Sequence, residues 1–244
     1  MKLSKNTFFT LVISSCLMLN SCVKTIIPPG TSALTIVNAI PNSNAVVTNF
    51  FGSNGGKSID TLTYYNSALQ IYYGRYTEVS SYSGPTNLSL SQTSDTLLPI
   101  ANMTLNMQIN GIYSLFLAGY DTTEVDTMFV KDNIPYYPTS GDSITGVRFV
   151  NLSKGGNPIL ITLQSDTTHT PILNNIVYKT ITPFQSYSAN TNAQSIGYNL
   201  EFRDVISDSI LATSRLRIYL YKSQTLAFYG NPIVGYSVMS INNY

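Results

Sequence analysis

Catalysis needs side chains that exchange protons or attack bonds, and this chain is poor in them. Its 244 residues include one histidine, two cysteines and twelve acidic residues. His169 sits in Asp166-Thr167-Thr168-His169-Thr170-Pro171, a polar stretch that ends on proline and reads as a solvated loop. Ser165 and Thr167 lie near it in sequence, but no Gly-x-Ser-x-Gly elbow presents a nucleophile. The carboxylates fall mostly in turns, as at Asp95, Asp121, Asp142 and Asp208. A turn aspartate usually accepts hydrogen bonds from its own backbone. The densest acidic segment, Asp121-Thr122-Thr123-Glu124-Val125-Asp126, offers three carboxylates to a hard cation but lacks the alternating spacing of a calcium loop. It is read as a hairpin turn between Tyr113–Tyr120 and Met128–Lys131. The expectation is a protein with no catalytic residue, no metal site and no cofactor.

Tyrosine carries the remaining chemical signal, with 18 Tyr and no Trp. Tyr64-Tyr65, Tyr72-Tyr73 and Tyr76 crowd together with Arg75 among them. Neighbouring residues of a strand point to opposite faces, so some of these rings are expected to face solvent. Exposed aromatics beside an arginine stack on sugar rings or anchor protein interfaces. Tyr65, Tyr73, Arg75 and Tyr76 are therefore candidate ligand-binding residues. The other reading is that these rings cover a sheet edge or lie between domains, with their hydroxyls outward. Tyr136-Tyr137 has the same two readings, as a wedge between domains or the lining of a cleft.

The N-terminus reads as an address. Lys2 and Lys5 precede an apolar run from Phe8 to Leu19, too short for the roughly 20 residues that span a bilayer. The following Leu19-Asn20-Ser21-Cys22 resembles the lipobox of bacterial lipoproteins. The resemblance implies a signal peptide over 1–21 and lipid attachment at Cys22, with the chain held on the outer membrane at its periplasmic or cell-surface side. Lipoproteins of Bacteroidota type bound for the exterior often carry acidic residues after that cysteine; Val23-Lys24-Thr25 carries none. Residues 22–31 then form a short tether broken by Pro28-Pro29-Gly30. Losing Lys2 and Lys5 takes the 13 basic residues to 11 against 12 acidic ones, a formal net charge of −1. Such a surface gives nucleic acid nothing to bind.

An internal repeat organises the rest. Leu34-Thr35-Ile36-Val37-Asn38 matches Val147-Arg148-Phe149-Val150-Asn151 at a shift of 113. Leu88-Ser89-Leu90 matches Leu200-Glu201-Phe202 at 112, and Ser94-Asp95-Thr96-Leu97 matches Ser207-Asp208-Ser209-Ile210 at 113. Met103, Leu105 and Met107 match Leu216, Ile218 and Leu220 at 113, and Leu115, Leu117 and Gly119 match Leu226, Phe228 and Gly230 at 111. The matches imply two copies of one domain, over 32–131 and 143–244, joined by a linker over 132–142 with two prolines and a glycine. Alternation of apolar and polar residues, as in Met103–Met107 and Leu216–Leu220, predicts strands with one face in the core and one in solvent. Turn signals recur at Pro41-Asn42, Asn110-Gly111, Gly155-Gly156-Asn157 and Asn231-Pro232. The predicted class is all-β, with two tandem immunoglobulin-like β-sandwiches.

The opening Leu34-Thr35-Ile36-Val37-Asn38-Ala39-Ile40-Pro41 resembles the start of domain-of-unknown-function family 4397. Arg148-Phe149-Val150-Asn151 fits the second opening at its arginine, while Leu152-Ser153 lacks the proline. Tyr113–Gly119 fits the family's Tyr-rich closing strand that ends on glycine, and Thr225–Gly230 fits it loosely. The resemblance implies an extracytoplasmic immunoglobulin-like sandwich, often in tandem on secreted or lipid-anchored proteins, and implies no activity. The expected function is a non-enzymatic, membrane-anchored envelope protein that binds a glycan, matrix or protein ligand. The alternative is a structural spacer or a subunit of an envelope assembly. The sequence sets no oligomeric state.

Overall fold

The computed structural model describes residues 30–50, 70–135, 144–164, 171–190 and 197–243. The signal peptide, Cys22, Tyr65, Tyr136-Tyr137 and His169 lie outside the described residues.

The described chain is all-β. In the first half the strands are β1 (Thr31–Asn38), β2 (Ala45–Asn49), β3 (Ile71–Tyr72), β4 (Arg75–Tyr82), β5 (Gly84–Gln92), β6 (Asp95–Met107), β7 (Ile112–Gly119) and β8 (Val125–Lys131). In the second half they are β9 (Ile144–Asn151), β10 (Ile159–Leu163), β11 (Pro171–Ile176), β12 (Gln185–Ser188), β13 (Tyr198–Asp204), β14 (Ile210–Leu216), β15 (Ser223–Asn231) and β16 (Gly235–Asn243). They form four sheets, ordered β4-β1-β7-β8 and β3-β2-β5-β6, then β12-β9-β15-β16 and β11-β10-β13-β14. The second pair repeats the topology of the first strand for strand. Each half is a β-sandwich.

The repeat extends to single hydrogen bonds. Asn38 and Asn151, both at the last position of the first strand, donate Nδ2–H to the carbonyls of Ile71 (2.8 Å) and Ile176 (2.9 Å). Each side-chain oxygen accepts the N–H two residues on, from Ile40 (3.1 Å) and Ser153 (2.9 Å). Each asparagine therefore ties one sheet of its sandwich to the other. Gly119 ends β7, and Gly230 stands one residue before the end of the equivalent strand β15. A Cβ there would lie 2.1 Å from the Glu124 or the Gly235 carbonyl oxygen, so only glycine lets the hairpin close.

Two cores follow from period-two alternation. Leu34, Ile36, Leu88, Leu90, Leu115 and Leu117 are buried between the sheets of the first sandwich. Val147, Phe149, Leu200, Phe202, Leu226 and Phe228 do the same in the second. The rings of Phe202 and Phe228 stack at 5.7 Å.

A third core joins the two sandwiches. The other faces of β1, β7, β9 and β15 do not meet solvent, contrary to what alternation predicts. Val37, Phe116 and Ala118 of the first sandwich bury against Val150, Ala227 and Ile241 of the second. Sheet β4-β1-β7-β8 thus lies face to face on sheet β12-β9-β15-β16, and the molecule is a stack of four sheets. This explains the near-continuous apolar runs in the central strands: a strand covered on both faces has no solvent side to make polar.

Candidate functional site

The seam between the sandwiches collects most of the unusual polar chemistry. Its centre is Arg148 on β9, whose neighbours Val147 and Phe149 point into the second core, so its own side chain points into the seam. Nη1 donates to Asp132 Oδ1 (2.7 Å), Nη2 to Ser114 Oγ (2.9 Å) and Nε to Thr225 Oγ1 (2.7 Å). Ser114 in turn donates to Asp132 Oδ2 (2.7 Å), and Thr225 donates to Asn243 Oδ1. The Phe184 ring lies 4.8 Å from the guanidinium carbon and the Phe116 ring 5.7 Å. The ion-paired side chains of Arg148 and Asp132 are only 3% and 0% exposed. Asp132, read from sequence as the first residue of a plain linker, is therefore a buried anchor. A buried charge pair survives only when nearly every donor and lone pair is met, and here the two sandwiches and the linker meet them together.

The seam's rim is tied by ions. Asp126 on β8 is held by Lys179 and by Lys154 (3.2 Å), and it accepts the Tyr178 hydroxyl (2.9 Å). Glu124 also pairs with Lys154, at 3.0 Å. Burial raises the Asp126 carboxyl, but hydrogen bonds from Lys179, Tyr178 and Lys154 outweigh it and hold the group down at about 2. Burial, then the hydrogen bond to Asp126, pushes the Tyr178 hydroxyl up. Residues 121–126 form the turn and start of the β7–β8 hairpin, as expected. Two lysines occupy the carboxylates a hard cation would use, and Asp121 accepts the N–H (2.8 Å) and hydroxyl (2.7 Å) of Thr123. A carboxylate held this low stays ionised and does not serve as a general acid near neutral pH.

The sequence candidates divide. Tyr65 lies outside the described residues. Tyr73 is half-buried and meets Tyr229 of the second sandwich edge to face at 5.3 Å. Burial, then the charge of Tyr229, pushes its hydroxyl up to about 12. The adjoining Gly74 is required by this approach, since a Cβ there would lie 2.5 Å from the Tyr229 hydroxyl. Tyr76 lies against the seam core, and its hydroxyl accepts the Asn242 N–H at 3.4 Å. It thereby caps a backbone donor on the edge strand β16, which would otherwise invite strand pairing. Arg75 is exposed. Tyr73 and Tyr76 thus serve the seam, and of this cluster Tyr72 and Arg75 reach solvent.

Beside Tyr76 the seam opens into a groove of about 510 Å³. Glu78 forms one wall from β4, and Tyr219, Leu220, Lys222, Asn242 and Asn243 come from the second sandwich. Both sandwiches are needed to make it. The Asn243 side-chain amide below it is buried, with its nitrogen unpartnered. Sequence reading missed this groove because Glu78 and Lys222 lie far apart in the chain and meet only through the seam. The signal available was the buried arginine, a charged residue in the middle of an apolar strand.

A comparison with known protein families and with curated proteins finds no match for this chain.

Proposed function

We propose that the protein is a non-enzymatic, lipid-anchored protein of the cell envelope that captures a glycan in the seam groove. The observation that carries this reading is the groove's composition. Tyr219 offers an aromatic face to a sugar ring, while Glu78, Lys222 and Asn242 offer an acceptor, a donor and an amide to its hydroxyls. The locked seam holds these groups in place before a ligand arrives, which lowers the ordering cost of binding. The lipobox ending on Cys22 supports anchoring, with the tether leading into Thr31 at the start of β1.

The test is titration of the protein with a panel of neutral and acidic oligosaccharides, read by calorimetry. Saturable binding that Tyr219→Ala weakens by about tenfold or more, with unchanged melting, supports the reading. A second reading, a rigid spacer within an envelope assembly, is favoured by the buried Arg148–Asp132 pair that fuses the two sandwiches. No saturable binding across the panel would leave the spacer standing.

A further inference from the structure

The two ends of the molecule differ in chemistry. Strands β1 and β7 are parallel, and so are β9 and β15. Across the seam Gly119 bridges Ser153 in parallel, in step with the bond from Arg148 to Ser114. All four strands therefore run the same way. Gly30, the first described residue, lies at their starting end, and the turns after them lie at the far end.

Ten of the fourteen exposed large hydrophobic side chains among the described residues sit at that far end. They occupy turn after turn. Leu97 and Leu98 follow the β5–β6 turn (58% and 69% exposed), Ile206 projects from the β13–β14 turn (75%), and Ile233 projects from the β15–β16 turn (71%). These tips are held rigidly. Asp95 accepts the N–H groups of Leu97 and Leu98, Asp204 those of Ile206 and Ser207, and Asn231 those of Ile233 and Val234. Several tips adjoin. Asn231 also donates to the Tyr120 carbonyl across the seam (3.1 Å), and Tyr236, beside the Asn231 turn, feels the charge of Asp204. Burying such aliphatic tips takes apolar surface out of water, which favours association. Single exposed apolar residues are ordinary; a set gathered on one end and framed by polar groups marks an interaction surface.

We infer that this end docks a partner protein through an apolar surface patch. The charges argue for protein over membrane. Of the four cations at this end, Lys154 and Lys179 are committed to Glu124 and Asp126 and Arg203 to Glu201 and Asp208, and Arg75 alone is exposed without an ion pair among the described residues. Anionic headgroups are recruited by clusters of about four or more lysines and arginines, whereas this end offers one free arginine amid a carboxylate excess, with Asp95, Asp121, Glu124, Asp126, Asp204 and Asp208 against Arg75, Lys154, Lys179 and Arg203. An apolar centre in such a polar frame matches a protein interface. The surface is separate from the groove, which lies toward the starting end beside Lys222, so loss of glycan binding leaves this inference intact.

The test places a photoreactive side chain singly at Leu98, Ile206 and Ile233, and at Ile109 on the opposite end as control, in the full-length protein in intact cells. The expected result is one discrete protein adduct, the same from all three far-end positions, absent from Ile109. Val234→Asp in the same chain should lower its yield by about tenfold or more while the melting temperature holds. Adducts with phospholipid alone would overturn the inference in favour of a membrane, and a doubled-mass adduct in favour of self-association. No adduct, or equal adducts from both ends, would show that the tips dock nothing.

Discussion

Arg148 shows how one side chain decides the relation between two domains. Replacing it by alanine strands the buried Asp132 carboxylate with one serine donor. The expected cost is about 3–5 kcal/mol, measured by urea unfolding. Arg148→Met combined with Asp132→Asn removes both charges and should recover much of that loss. At Gly74, alanine forces the added carbon against the Tyr229 hydroxyl. Gly74→Ala should displace the Tyr73–Tyr229 contact and bring the late Tyr73 ionisation down from about 12, visible in an alkaline absorbance titration. In the native seam a raised tyrosine costs stability between pH 10, where the unfolded chain ionises, and about 12. The asparagines at 38 and 151 were legible from sequence as a repeated pair, because their bonding is local to each copy. Arg148 was legible as an oddity but not as a clamp. Its partners Asp132, Ser114 and Thr225 stand on three other segments, and no local pattern ties them together.

At the scale of elements, the β7–β8 hairpin is a catch that acid should open. The Asp126 carboxyl lies at about 2 in the fold, below the ordinary value near 3.9. Its contribution is therefore complete above about pH 4 and is lost as pH falls from there through 2. Small-angle scattering over that range should show the two sandwiches loosening, and Asp126→Asn should flatten that part of the acid response while weakening the seam at neutral pH. The turns that carry the chain from one sheet to the other were readable because they hold Asn where it is favoured: Asn42, between β1 and β2, and Asn110, between β6 and β7, have φ of 58° and 59°. The repeat was readable with one slip. Leu88 and Leu200 relate β5 to β13 by 112, so Thr86 corresponds to Tyr198. The ladders set Leu105 opposite Thr86 and Leu216 opposite Tyr198, so Leu105 corresponds to Leu216 at a shift of 111, not 113. The slip is two residues, one full pleat, and leaves every side chain on its proper face.

At the scale of the whole molecule, the two sandwiches should melt as one. Freed of its partner, the first would expose Val37, Phe116 and Ala118, which the seam now buries completely. A single calorimetric transition is expected for the intact chain. Phe116→Ala, at the seam and outside either sandwich core, should cost about 3–5 kcal/mol and lower that one transition without splitting it. The two-sandwich class was plain from strand signals, but the stacking was not. Alternation, as at Met103–Met107 and Leu216–Leu220, reports a strand with one covered face; the apolar runs of β1 and β7 do not alternate, and no local pattern says what covers their second face.

The common direction of β1, β7, β9 and β15 has a mechanical meaning. A pull applied at Gly30 and resisted at the far-end turns acts along β1, which is flanked by β4 and β7 through six or more registered residues on each side. The load then falls on all the rungs of both ladders at once, in shear, rather than opening them one by one from a free edge. With the anchoring proposed at Cys22 and the partner inferred at the opposite end, the load would run along the line on which these ladders resist best.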